Sequence, residues 1–154
     1  SAVYDWKGDP DQLDWNKGGG FALDWKRNDK DNLMWAWRYN PDKKVFELTT
    51  YINWKYKRRI GHYDSRVLLR ARPDELISIQ FNRTDGKWWE VVYQNVMTGE
   101  LFSHQVEVRI SPKLARRIYP WFGGANNARP PMDQIDYGGV PNKKMKIFMH
   151  YSSN

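Results

Sequence analysis

ELISIQFNRTDGKWWEVVYQNVMTGELFSHQVEVRI, residues 75–110, decides the fold. Three runs in which apolar and polar residues alternate are separated by Thr84-Asp85-Gly86 and Met97-Thr98-Gly99. Each break contains a glycine, which supplies the positive φ that a tight hairpin needs. Pro73-Asp74 opens the first run. Side chains alternate between faces along a strand, so period two sorts them. Ile77, Ile79 and Phe81 oppose Ser78, Gln80 and Asn82, with Leu76 breaking the pattern. Phe102, His104, Val106, Val108 and Ile110 oppose Leu101, Ser103, Gln105, Glu107 and Arg109. The stretch reads as an antiparallel meander with one buried and one wet face.

Working outward, the same signals recur. Strands are expected at about 2–6, 20–25, 33–39, 44–54, 65–71, 75–82, 87–95, 100–110, 115–121 and 143–151. Asn40-Pro41-Asp42 marks a turn, because proline fixes φ while Asn and Asp bond to nearby backbone. In 44–54, Phe46, Leu48 and Ile52 oppose Glu47, Thr49, Tyr51 and Asn53, which are assigned to a wet face. Trp35 and Trp37 alternate with Met34 and Ala36 and read as core. Helical spacing is confined to Pro112–Arg117, which competes with the strand at 115–121 and is limited by Pro120. Two longer polar stretches are read as loops: 7–19, running into Gly18-Gly19-Gly20, and 122–142. Ten strands exceed what one twisted sheet carries comfortably, so two packed sheets are expected. The fold class is all-β, an antiparallel two-sheet jelly-roll sandwich, with residues 1–154 as a single domain.

Composition bounds the chemistry. Apolar residues make up 40%, and with eleven glycines the chain falls in the ordinary globular range, not the disordered one. There is no cysteine, which excludes disulfides, thiolate metal sites and cysteine nucleophiles. No apolar run approaches the roughly 18 residues of a membrane span, and Ser1-Ala2 fits either a processed end or a cloning remnant. The net charge of +7 is uneven: residues 1–32 hold seven acids against five bases, the remainder eleven against twenty. A basic excess favours an anionic partner.

The order of elements resembles the concanavalin A-like lectin/glucanase superfamily. The turn and strand Arg72-Pro73-Asp74-Glu75-Leu76-Ile77-Ser78-Ile79 resemble those of its lectin-like domains, and the strand Lys144–Tyr151 would return beside the first. Ile118-Tyr119-Pro120-Trp121-Phe122-Gly123-Gly124, followed by Ala128-Arg129-Pro130-Pro131-Met132, is similar to a signature near the end of uncharacterised lectin-like domains of gut-type bacteria and their phages. The pattern departs at Asp133–Asn142, which is inserted before the last strand. The resemblance implies a two-sheet sandwich, often with a concave sugar-binding face, and no single activity.

A pyranose has an apolar C–H face and a rim of hydroxyls, so its sites pair an aromatic ring with polar side chains that fix orientation. Tyr51, Asn53, Trp54, Tyr56, Arg58, Gln80 and Trp88 are the expected glycan contacts. Trp88 and Trp89 point to opposite faces, so one of them should be exposed. Arg38, Arg58 and Arg59 suit carboxylates or sulfates, should the sugar be anionic. The expected function is non-catalytic carbohydrate binding, extracellular, at a cell surface or on a virion, with the cytoplasm left open. A virion or surface-assembly role, holding neighbouring protein subunits, is the alternative. A small polysaccharide lyase is the second: it needs a base, an acid and a cation, for which Arg38, Gln80, His104 and Tyr51 are candidates. His104 shares parity with apolar residues and reads equally as a core histidine. Glu47, Glu90, Glu100 and Glu107 are too scattered for the paired carboxylates of a glycosidase.

Nucleic acid is disfavoured. Trp54-Lys55-Tyr56-Lys57-Arg58-Arg59 interleaves rings and bases, but reads as a solvated edge strand whose charge deters aggregation. No metal and no cofactor are expected. His62, His104 and His150 lack ligand spacing, Asp9, Asp11 and Asp14 read as turn residues, and Lys17–Gly20 lacks Walker spacing.

Overall fold

The computed structural model describes residues 15–24, 27, 30–40, 42–61, 66–108 and 115–118. These form nine strands: β1 (Asn16–Ala22), β2 (Asn32–Asn40), β3 (Val45–Trp54), β4 (Lys57–Ile60), β5 (Leu69–Ala71), β6 (Ile77–Asp85), β7 (Trp88–Asn95), β8 (Leu101–Glu107) and β9 (Arg116–Ile118). Among the described residues there is no helix. The strands make two antiparallel sheets. The larger, sheet A, runs β4-β3-β2-β1-β9, with β5 also paired to β3; the smaller, sheet B, runs β6-β7-β8. The strands expected at 2–6 and 143–151 and the loop at 122–142 lie outside the described residues, as do Asp9, Asp11, Asp14, His62 and His150.

The sheets pack on each other through their alternating apolar rows. Leu33, Trp37, Leu48, Ile52 and Leu69 of sheet A meet Trp89, Val91, Tyr93 and Val106 of sheet B. Burying each such side chain contributes about 1.5–3 kcal/mol. Trp37 is almost fully buried and Trp35 packs against the same layer, as their spacing predicts. The layer also holds a polar thread. Tyr93 donates its phenol to the Thr49 carbonyl (3.0 Å) and shares a hydrogen bond with Thr50 Oγ1 (2.8 Å), which lies 2.7 Å from His104 Nε2. His104 is thus a hydrogen-bonded residue of the inter-sheet layer.

Sheet A is apolar on its other face too, and here expectation and structure part. Trp15, Ala22, Met34, Ala36, Tyr51 and Ile118 form a second buried cluster, joined by Val67. Three of the four residues of β3 assigned to a wet face are buried, Tyr51 at 5% exposed, Glu47 at 2% and Thr49 at 2%, and the fourth, Asn53, is half-buried. Their polarity is satisfied internally. Glu47 accepts from Arg38 Nε (2.9 Å), Asn40 Nδ2 (3.1 Å) and Arg70 Nε (3.4 Å), and Thr49 donates to the Arg66 carbonyl (3.0 Å). Alternation along β3 separates two buried faces, not a dry one from a wet one.

Gly18 and Gly19, read as the end of a loop, are strand. β1 begins at Asn16 and carries Gly18-Gly19-Gly20, with a bulge between Lys17 and Gly19. Gly18 is required because the Trp35 indole lies where its Cβ would be. Arg116–Ile118 is also strand, pairing Ile118 with Gly20 and Arg116 with Ala22, so the competing helix does not form there. The turns follow expectation. Asn40 Oδ1 accepts from the N–H groups of Asp42 and Lys43 (3.1 Å each), and Asn95 Oδ1 from those of Met97 (3.0 Å) and Thr98 (3.2 Å). Gly86 and Gly99 take positive φ, at 32° and 77°.

Candidate functional site

The outer face of sheet B is assembled by register. Trp88 of β7 lies opposite Asp85 of β6 and Glu107 of β8; Glu90 lies opposite Asn82 and Gln105; Val92 lies opposite Gln80 and Ser103; Gln94 lies opposite Ser78 and Leu101. Gln80, Asn82, Thr84, Leu101, Ser103 and Gln105 are exposed along this face. Asn82 Nδ2 donates to Glu90 Oε1 (3.2 Å), and Lys87 Nζ pairs with Glu107 Oε1 (2.8 Å). Strict alternation turns Trp89 inward, 5% exposed, and Trp88 outward, 40% exposed, as the sequence predicts for one of the two. The face therefore ends on an open indole and continues as a rank of amides and hydroxyls.

The β3–β4 hairpin closes the same end of the molecule. Its two-residue turn holds Lys55 and Tyr56 at φ 50° and 63°, the left-handed pair of a tight hairpin, in residues other than glycine. Such backbone is costly unless its surroundings impose it. Here the Asp31 carboxylate accepts from the Lys55 N–H (2.8 Å) and the Lys30 carbonyl from the Tyr56 N–H (2.9 Å). Asn32 Oδ1 accepts from the Asn53 N–H (2.9 Å). Cations rest on the neighbouring rings: Arg59 5.0 Å from the Trp54 ring centroid, Arg58 5.3 Å from Tyr51, Arg27 5.6 Å from Tyr56, and Lys17 Nζ 5.2 Å from Tyr51. Lys30 bonds Asp24 (2.9 Å), a contact that raises its pKa.

Between hairpin and sheet B is a cavity of about 180 Å³ lined by Asp31, Ile52, Asn53, Trp54, Arg59, Ile60, Glu107 and Val108. The Val108 N–H donates to the Lys87 carbonyl (2.8 Å), tying the end of β8 to the start of β7. Glu107, the cross-strand partner of Trp88, thus borders both the cavity and the open face.

Of the seven expected contacts, Gln80 and Trp88 share the outer face of sheet B, and Asn53 and Trp54 line the cavity. Tyr56, 54% exposed, and Arg58 belong to the hairpin. Tyr51 does not present a free ring: it is buried, with Lys17 and Arg58 over it. Arg38 is likewise committed, to Glu47. The four lyase candidates do not converge, since Tyr51 and Arg38 are on the far face of sheet A, His104 between the sheets and Gln80 on the outer face of sheet B. Sequence reasoning missed the contribution of Gln105 and Glu90 beside Asn82, which needs hairpin register as well as parity. It also missed Asp31, which reaches the hairpin from a separate loop. Among the described residues no three His, Asp or Glu side chains are grouped to hold a metal ion, and no helix is long and apolar enough to cross a membrane.

No family model, curated protein or solved structure matches this chain.

Proposed function

We propose that the protein recognises a glycan without transforming it, on the outer face of sheet B. One observation carries this reading: the Trp88 indole, 40% exposed, stands at the end of an open rank formed by Gln80, Asn82, Ser103 and Gln105. A sugar's C–H face packs on an indole. Side-chain amides both donate and accept, which matches hydroxyls that do the same. Asn53, Trp54, Tyr56 and Arg58 extend the site around the cavity. The jelly-roll wiring and the concanavalin A-like resemblance belong to the same proposal; both require the first and last expected strands, outside the described residues. With the reading goes an extracellular, cell-surface or virion location.

A glycan array tests it, with uronate-polymer turnover followed in parallel. The wild type should bind a defined group of glycans, and Trp88→Ala should weaken that binding roughly tenfold, about 1.4 kcal/mol. Equal binding by the variant removes Trp88 from the site, and turnover of the polymer replaces recognition with catalysis.

A second reading, assembly with a neighbouring protein subunit, is favoured by a different observation. At the opposite end of sheet B, Leu76, Val96, Met97 and Leu101 are 54%, 48%, 69% and 58% exposed. The Val96 N–H donates to the Leu76 carbonyl (2.9 Å), so these residues form one rim. Clustered exposed apolar side chains suit a protein contact. Concentration-dependent association in sedimentation, abolished by Met97→Asp with Leu101→Asp, is its expected signature.

A further inference from the structure

We infer that the glycan is acidic and that the β3–β4 tip reads its charge, an inference that rests on the glycan reading of sheet B. Trp54–Ile60 contains four bases and no acid. Lys55, Lys57, Arg58 and Arg59 are all exposed. Arg58 and Arg59 are not loose chains: each guanidinium lies over a ring, at 5.3 Å from Tyr51 and 5.0 Å from Trp54. Stacking on a ring restrains the fork of N–H donors before any ligand arrives, and that fork matches a carboxylate or sulfate.

The turn adds an independent observation. Asn-Gly would take its left-handed backbone without strain, yet the chain has Lys55 and Tyr56 there, held by Asp31 and the Lys30 carbonyl. A base and an exposed ring are kept at the tip against local preference, and such strain collects at binding sites. The two acids that line the cavity among the described residues are engaged, Asp31 by the Lys55 N–H and Glu107 by Lys87. The tip also adjoins the proposed sugar face, because Arg59 and Trp54 line the same cavity as Glu107, the partner of Trp88. A chain lying on Trp88 can therefore reach the tip with an acidic substituent.

Nucleic acid fits less well. Base stacking needs open ring faces. Here Tyr51 is buried and Trp54 carries Arg59 on its ring, which leaves the tip a single exposed ring, Tyr56, itself faced by Arg27. The tip offers forked donors in place of platforms.

Affinity electrophoresis tests the inference with polygalacturonate, carboxyl-reduced polygalacturonate, heparin and a single-stranded oligonucleotide, at about 50 and 500 mM salt, which brackets strong and weak screening. The wild type should be retarded by at least one acidic polymer roughly tenfold more strongly than by the reduced one, with the difference lost at high salt. The triple variant Lys57→Gln, Arg58→Gln, Arg59→Gln should lose that difference, whereas Trp88→Ala should weaken binding to acidic and reduced polymers alike. Equal retardation by acidic and reduced polymers, an unaffected triple variant, or tighter binding of the oligonucleotide overturns the inference. In the first of these, sensitivity to Trp88→Ala would leave the glycan reading standing. No effect of Trp88→Ala on any polymer would remove that reading as well.

Discussion

The two sheets use the same strand chemistry to opposite ends. Apart from the exposed β4, sheet A is buried on both faces: one apolar row meets sheet B, and the other forms a cluster around Met34 and Tyr51. Sheet B is buried on one face and leaves the other to solvent, from Gln80 and Asn82 across to Ser103 and Gln105. Apart from its β3–β4 tip, sheet A is thus committed to stability, whereas sheet B has a whole face to offer a ligand. The difference teaches that alternation of residue type reports two faces without saying what covers each. A polar residue on a covered face becomes structural, as Glu47 does. The same residue type on an open face remains available for recognition.

Substitutions that treat the sheets alike should separate them. Tyr51→Ala removes a buried ring from the far face of sheet A and should cost about 3 kcal/mol or more in denaturant unfolding. Trp88→Ala, an equally severe truncation on sheet B, should stay within about 0.5 kcal/mol. Similar costs for the two would erase the distinction. Glu47→Gln should cost about 2 kcal/mol, by weakening acceptance from Arg38 and Arg70 in a buried setting.

Glu47 also predicts a pH response. Burial pushes its pKa up, but the hydrogen bonds from Arg38 and Asn40 and the charges of Arg38 and Arg70 outweigh this, so the carboxyl titrates below its ordinary value of 4.5. A depressed folded pKa gives stability that is present above 4.5 and lost as pH falls through the folded value. Glu75, lowered by the Arg72 N–H and Asn95, adds to the same acid loss. His104 acts in a different window. Burial alone lowers its pKa from 6.5, so the unfolded chain takes up the proton first. Stability should therefore decline already as pH falls below about 6.5, before the carboxylates titrate. Thermal melts of His104→Gln should lack that first decline while keeping the acid loss. A variant that retains both would remove His104 as its cause.

Much of sheet B was legible because each cue was local. The glycines of its turns, the parity of Ile77, Ile79 and Phe81, and the opposition of Trp88 to Trp89 all act within a hairpin. Sheet A was less legible because its decisive facts are long-range. Tyr51 follows Thr49 and Glu47 in a pattern that would suit solvent, yet it is buried in a cluster with residues distant in sequence, Trp15, Val67 and Ile118 among them. Gly18 looks like a loop residue until the Trp35 ring is placed over it. Half of the site followed the same rule: Gln80 and Trp88 were readable by parity, whereas the cavity depends on Asp31 and Glu107 arriving from separate elements.

Chemical-shift mapping with the glycan selected on the array bears most directly on the open face of sheet B. Perturbations should concentrate on the amides of Gln80, Asn82, Trp88, Glu90, Ser103 and Gln105 and on the Trp88 indole, fading across β1 and β2. Shifts centred on β1 and β2 of sheet A, or on the rim of Leu76, Val96, Met97 and Leu101 with Trp88 unmoved, would contradict it.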